Sequence, residues 1–382
     1  MNPNPTHIPF NLPCLTGQET AYFQQCLEKK KFSGDGPFTK KSTDLLCRLI
    51  GAERALLTTS CTDALEICAL LLDLAPGDEV IVPSFTFVTS ASAFALRGAK
   101  IVFVEIDPAT MNIDPEKAKA AISPRTKAIV IVHYGGVSCD MDAILALARE
   151  HDIPVVEDAA QALMAKHKNT YLGTLGDLGC FSFHETKNLQ CGEGGALIVN
   201  NSKYFERAEI LREKGTNRSR FFRGQVDKYT WTDIGSSFLM SDLSAAFLLA
   251  QLENAAAITE RRLSLWKRYH AALAGLEASG TVQLAKIPDY ASPNGHLFYL
   301  KLANLLLREK FIAFLAKKNI SAVFHYIPLH SSPAGRKCSI FHGSDSHTTI
   351  DSERLVRLPI YDAMDASEQG YVIGSVKEFF KF

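Results

Sequence analysis

From about residue 55 the chain alternates short, continuous apolar runs with stretches of helical period. That alternation constrains the fold more than any other feature. The runs are ALLTTS (55–60), EVIVPS (79–84), KIVFVEI (100–106), KAIVIVH (127–133) and PVVED (154–158), completed by CFSF (180–183) and ALIVN (196–200). They are rich in Val and Ile and show no polar alternation, so each strand must be covered on both faces. Helices are expected between them at 63–74, at 87–97 with a stop at Gly98, and at 140–151. Strands separated by helices form parallel sheet. The fold class is therefore α/β: a mostly parallel central sheet covered by helices.

The two ends of the chain read differently. Thr16-Gly17-Gln18-Glu19 has the form of a capping box that opens a helix towards Lys31, and a second helix is expected from about Lys40 to Gly51. Beyond 240 a long helix is expected from Ser241 to Leu273. It is followed by a strand in LFYLKL (297–302), a helix near 308–318, a strand in ISAVFHY (320–326) and a terminal helix near 366–380. The change of rhythm divides the chain near 250, into a large domain (1–250) and a smaller C-terminal α/β domain (251–382).

Composition narrows the function classes. The 382 residues carry 41 Lys+Arg against 41 Asp+Glu, a formal charge of zero. A neutral chain has no bulk attraction for nucleic acid or an anionic membrane, so neither is expected as a partner. Runs such as AIVIV and LLLDLA are too short to span a bilayer, and MNPNPTHIPFNLP lacks the basic and apolar regions of a signal peptide. The nine cysteines contain no C-x-x-C pair, which removes zinc-ribbon and thioredoxin readings, and no metal site is expected. Free thiols suit a reducing, cytoplasmic setting.

Open parallel sheets bind ligands beyond the carboxyl ends of their strands, and four features fall there. Thr58-Thr59-Ser60-Cys61-Thr62-Asp63 sits at a strand-to-helix junction, where amides and hydroxyls suit a phosphate or merely cap the helix. Phe87 follows the second run, placed either to stack on a planar ring or to enter the core. Glu157-Asp158-Ala159-Ala160-Gln161 ends PVVED. Lys187 lies in FSFHETKNLQCGEGG (181–195), as a solvated loop residue or as an amine that condenses with a carbonyl. Together these are the parts that pyridoxal 5'-phosphate (PLP) requires: a phosphate cradle, an aromatic face, a carboxylate for the ring nitrogen and a lysine for the aldehyde.

The stretch FSFHETKNLQCGEGG, with EDAAQA and PSFTF upstream, resembles the DegT/DnrJ/EryC1 family of PLP-dependent sugar aminotransferases, and the likeness runs from SGDGPFTKK (33–41) to HYIPLHSSP (325–333). It implies a fold-type I, aspartate-aminotransferase-like architecture. It also implies roles: Lys187 binds the cofactor's aldehyde and moves protons, Asp158 pairs with the ring nitrogen, and Gln161 lies near the phenolic oxygen. Cys61, Thr62 and Ser182 hold the phosphate, and Phe87 stacks on the ring. Two positions depart from the family pattern: Cys61 replaces a Gly, and Gly235-Ser236-Ser237-Phe238-Leu239 stands where G-x-N-x-R is usual, leaving Ser237 as a phosphate donor. By the same likeness His184, His325, Tyr326 and His330 are acceptor-site residues. Arg218 and Arg220, with Arg223, Lys228 and Lys31, could meet a nucleotide diphosphate or form a solvated basic surface.

KGTNRSRFFRGQVDKYTWTDIGSS (214–237) and SCTDAL (60–65) resemble the members of the family that aminate C4 of a dTDP-linked 4-keto-6-deoxyhexose with L-glutamate as donor, in homodimers that share active sites. A sugar dehydratase of the same fold would carry His where Lys187 stands. A nicotinamide dehydrogenase would need a G-x-G-x-x-G after the first strand. A non-catalytic PLP-binding regulator would need a DNA-binding module.

Overall fold

The strands of the computed structural model, which describes residues 7–381, are in chain order β1 (Ala55–Thr58), β2 (Glu79–Pro83), β3 (Lys100–Val104), β4 (Thr126–Val132), β5 (Val155–Asp158), β6 (Lys166–His167), β7 (Thr170–Tyr171), β8 (Leu178–Ser182), β9 (Gly195–Val199), β10 (Gln283–Leu284), β11 (Ala291–Ser292), β12 (Phe298–Lys301), β13 (Ser339–Phe341) and β14 (Leu355–Leu358). Residues 1–6, part of the stretch read for a signal peptide, lie outside the described residues. Eight strands form the main sheet in the order β1-β9-β8-β5-β4-β2-β3-β13. Only β9 runs against its neighbours; the pairs from β8 to β13 are parallel. A three-stranded antiparallel sheet, β10-β12-β14, and a small ribbon, β11-β6-β7, complete the set.

Residue alternation shows why the apolar runs are continuous. Val80 and Val82 of β2 pack with Leu65 and Ile67 of the helix Cys61–Leu71, while Ile81 packs with Ile144 and Leu147 of the helix Met141–His151 on the opposite face. Farther along the sheet, Leu57, Phe181 and Ile198 are covered by the helices Pro37–Ile50 and Asp242–Glu253. Each buried Leu or Ile contributes about 1.5–3 kcal/mol. Phe85 and Tyr134, just past β2 and β4, belong instead to the core of the smaller sheet, with Phe298, Tyr299 and Leu300. The carboxyl edge of the main sheet is thereby packed against that second core.

Several boundaries differ from expectation. The helix expected from Lys40 starts at Pro37, whose missing N–H costs nothing in a first turn. Asp242 caps it from another helix, accepting from Thr39 N (2.7 Å) and Thr39 Oγ1 (2.8 Å). Half of the capping box at 16–19 forms: Glu19 accepts from Thr16 N (2.8 Å) and Gly17 N (2.9 Å), and Gln18 takes the cap position. The long helix breaks at Asn254 into Asp242–Glu253 and Ala255–Ala278. ISAVFHY forms no extended strand; isolated bridges join Ile320 to Ile8 and Val323 to Arg357.

β5 ends on two adjacent carboxylates with opposite directions. Glu157 is fully buried and accepts from His133 Nε2 (2.9 Å), Gly173 N (2.7 Å), Leu175 N (2.7 Å) and Gly176 N (2.6 Å). It is a structural clamp on the loop 173–176, whereas Asp158 faces the cavity described below. Glu157→Gln sets an amide NH2 among these donors and should cost ~2–3 kcal/mol, read as a lower thermal midpoint. An unchanged midpoint would contradict the clamp.

Candidate active site

A cavity of about 990 Å³ opens at the carboxyl edge of the main sheet. The end of β1 supplies its first wall. Ser60 is extended (φ −156°, ψ 166°), and its Oγ accepts from Asp63 N at 3.0 Å. The amides of Cys61 and Thr62, the first two of the helix, therefore have no partner within it and lie at the positive end of its dipole. Both residues line the cavity. Gly195 explains part of the glycine cluster: a Cβ there would come within 2.4 Å of Cys61 N, so only glycine lets β9 pass behind this loop. Gly192 instead supplies a turn at φ +79°.

Across the cavity lie Asp158 and Lys187. Asp158 Oδ2 accepts from Ser90 Oγ at 2.6 Å, Ser90 is in turn bonded to Thr86 Oγ1 at 2.7 Å, and Asp158 Oδ1 accepts from Ala160 N at 3.1 Å. Burial raises the carboxyl's pKa, opposed by the Ser90 and Ala160 bonds and by the Lys187 and His133 charges. Burial lowers the pKa of Lys187, opposed by Cys61 and Asp158 and reinforced by Arg357. Burial thus shifts the amine towards its neutral, nucleophilic form, and the carboxylate in its field opposes that shift.

Gln161 also lines the cavity, with its amide already engaged: Oε1 accepts from Gly135 N at 2.6 Å and Nε2 donates to Tyr326 Oη at 3.0 Å. Ser182 Oγ accepts from His184 N at 3.3 Å. Phe87 stands at the rim, 53% exposed, with its ring centroid 6.2 Å from that of Tyr326. His184 is bonded to Thr186 Oγ1 at 2.9 Å near the mouth. His325 lies inside, its ring 3.6 Å from that of Tyr326 and its Nδ1 2.7 Å from Tyr134 Oη. Burial, then the charges of Arg357, Lys187 and His296, push its pKa well below the usual range, so it is neutral.

Four expected site residues are not brought into this cavity. His330 is a structural staple, with Nδ1 2.7 Å from Ser84 Oγ and Nε2 3.2 Å from Asp345. Ser237 is exposed and bridges to Glu213. Arg218 pairs with Glu213, and Arg220 with Glu206 at 2.6 Å. Arg223 likewise pairs with Glu209 at 2.8 Å, so this basic segment is largely neutralised by its own neighbours; Lys31 is bonded to Ser33 Oγ and Lys228 is exposed. Sequence reasoning also missed Tyr134, buried behind the cavity wall, and residues that line the cavity. Tyr134, behind His325, follows the end of β4, and the strand-end rule could have found it. Phe10, His296 and Arg357 arrive from distant segments that carry no local signal. No cluster of His, Cys, Asp or Glu among the described residues could hold a metal.

The donor set fits PLP: free helix amides beside a hydroxyl for a phosphate, a buried carboxylate for a ring nitrogen, and a desolvated amine for an aldehyde. The profile of the DegT/DnrJ/EryC1/StrS aminotransferase family matches residues 13–377. The chain is 33% identical over 382 residues to the spore coat polysaccharide biosynthesis protein SpsC of Bacillus subtilis, covering 98% of this chain and 97% of that one. The crystal structure of the aminotransferase TlmJ from Streptoalloteichus hindustanus is similar at 30% identity with a TM-score of 0.90, over 98% of this chain and 99% of that one. Spr1654 from Streptococcus pneumoniae, solved in a PLP form, is similar at 26% identity and a TM-score of 0.87, over 98% of this chain and 99% of that one. The chain belongs to the DegT/DnrJ/EryC1/StrS aminotransferase family, and its cofactor is pyridoxal 5'-phosphate.

Proposed function

We propose that this sugar aminotransferase moves the amino group of L-glutamate to C4 of dTDP-4-keto-6-deoxy-D-glucose, giving dTDP-4-amino-4,6-dideoxy-D-galactose, the amino sugar of enterobacterial common antigen. The observation that carries the chemistry is the desolvated amine of Lys187 sharing one cavity with Asp158 and a helix N-terminus. The choice of sugar is supported by the resemblance carried in residues 60–65 and 214–237, and a carbohydrate role by the polysaccharide pathway named for SpsC.

When bound, PLP supplies an aldehyde for the amino group and an electron-withdrawing ring. The chain's own residues do the rest. The amides of Cys61 and Thr62, with Ser182 Oγ, would hold the phosphate. Asp158 would keep a proton on the ring nitrogen, and Ser90 and Ala160 N fix the orientation of its carboxylate. Lys187 Nζ takes the proton from the donor's Cα and later returns one to the sugar carbon, as a base whose pKa burial has lowered from the ordinary lysine value. Phe87 and Gln161, which line the same cavity, would help to hold the ring. His184, His325 and Tyr326 line the acceptor's side of the cavity.

The proposal includes a cytoplasmic homodimer with shared active sites. The segment 214–237 supports it, since Phe222 and Trp231 are 68% and 76% exposed beside Arg218, Arg220 and Ser237. In this reading those three residues serve the partner's cavity. No helix among the described residues is long and apolar enough to cross a membrane.

A panel of nucleotide-linked ketosugars with glutamate, read by NMR of the product, tests the assignment. Amination at C4 of the dTDP sugar with galacto configuration is expected, and preference for another sugar or carbon would overturn it. Lys187→Ala should abolish turnover and the bound cofactor's visible band. Asp158→Asn should keep the band and lose about a hundredfold or more in kcat; normal rates in either variant would refute the role given to it. Uptake of PLP by the apoprotein needs neutral Lys187, so its rate should rise with pH and level off below the ordinary lysine value of 10.5. A midpoint at or above 10.5 would contradict the lowered pKa.

A further inference from the structure

His296 reaches the cavity from the segment just before β12, and its ring is set by two asparagine amides whose own orientations are fixed. Asn294 Nδ2 donates to Gln161 O and Leu163 O, both at 2.9 Å, so its Oδ1 is the acceptor for His296 N at 3.0 Å. Asn188 Nδ2 donates to Asn294 O at 3.0 Å, so its Oδ1 faces His296 Nδ1 at 3.0 Å. An amide oxygen only accepts, and Nδ1 therefore carries the ring's proton. Arg262 holds the backbone, donating to Gly295 O at 3.1 Å and to His296 O at 2.7 Å. A Cβ at Gly136 would collide with Asn294 Oδ1, so glycine there makes room for the chain of amides.

The other ring nitrogen follows from the first. Burial, then the charges of Lys187, Arg262 and Arg357, push the imidazole's pKa well below its usual range. With its single proton on Nδ1, the ring presents a bare lone pair at Nε2, to which no described residue donates. The other two imidazoles lining the cavity differ. His184 Nδ1 accepts from Thr186 N at 3.2 Å, which puts its proton on Nε2 and makes that atom a donor. His325 Nδ1 meets the Tyr134 hydroxyl at 2.7 Å, a partner that can give or take. His296 Nε2 is thus a fixed acceptor. A carboxylate, a phosphate or a keto oxygen has nothing to offer it, whereas a hydroxyl donates. Asn188 directly follows Lys187, so the imidazole is tied to the root of the amine that must reach the reacting carbon.

We infer that His296 is a specificity-determining residue: its Nε2 accepts a hydrogen bond from the sugar hydroxyl next to the carbonyl that is aminated, and so selects ketosugars with a free hydroxyl there. For the substrate proposed above, that group is the C3 hydroxyl. This deepens the reading above and rests on it.

The test follows the two half-reactions of the holoenzyme separately, with glutamate as donor and with dTDP-4-keto-6-deoxy-D-glucose or its 3-deoxy analogue as acceptor. Wild type should be slower on the 3-deoxy sugar by roughly ten- to a hundredfold, because the lone pair is then left without a donor. His296→Phe should lose as much on the parent sugar, show no further loss on the analogue, and slow the glutamate half-reaction far less. His296→Gln, with an acceptor on a looser side chain, should retain part of the preference. Equal wild-type rates on the two sugars overturn the inference, and so does a His296→Phe enzyme that still tells them apart. Equal slowing of both half-reactions in His296→Phe overturns it in favour of a contact with Lys187. If His296→Phe does not fold, an undiminished preference in His296→Gln overturns it. A wild-type band that glutamate fails to bleach would instead sink the aminotransferase reading, and the inference with it.

Discussion

The structure depends on one costly arrangement: an amine and a carboxylate, Lys187 partly buried and Asp158 buried, sharing a cavity at the carboxyl edge of a parallel sheet. Burial pushes each towards its neutral form, and each charge partly restrains the other's shift. Such a pair is poor for stability and good for chemistry, because a lysine at its free-solution pKa is no base at neutral pH. The surrounding elements hold the two in place. Ser90 and Ala160 N fix Asp158, and the turn from His184 O to Lys187 N, 2.8 Å, fixes the lysine's root.

The fold carries that cost through its two cores. The main sheet buries both faces under helices, so its strand ends are rigid platforms. The smaller sheet seals the open edge, because Phe85 and Tyr134 leave the ends of β2 and β4 and enter its core. His325, Tyr326 and Arg357 are thereby carried over the mouth of the first sheet. The neighbouring carboxylates of β5 divide the work: Glu157 clamps a loop and Asp158 serves the site. Period-two alternation along a strand is enough to separate the two roles.

Much of this was legible in the sequence for physical reasons. Strands buried on both faces must be continuous in Val and Ile, so β2, β3, β4 and β9 were found to within a residue or two. Lys187, Asp158, Gln161, Cys61 and Thr62 follow strand ends, where a parallel sheet offers its open edge. Residues placed by long-range contact were not legible. Arg357 and Phe10 reach the cavity from opposite ends of the chain. Asp242 starts a helix two hundred residues away, which hid the beginning at Pro37. The Asn254 break lies within an unbroken helical pattern, since Asn does not forbid a helix as Pro does. Arg218 and Arg220 looked available because a sequence does not reveal that Glu213 and Glu206 will fold against them.

The most direct measurement of the central claim is borohydride reduction of the PLP-loaded enzyme followed by peptide mass spectrometry. The cofactor's mass should be found on the peptide carrying Lys187 and confined to that residue. A reduced adduct on another lysine, or none on an enzyme that still turns over, would contradict the account.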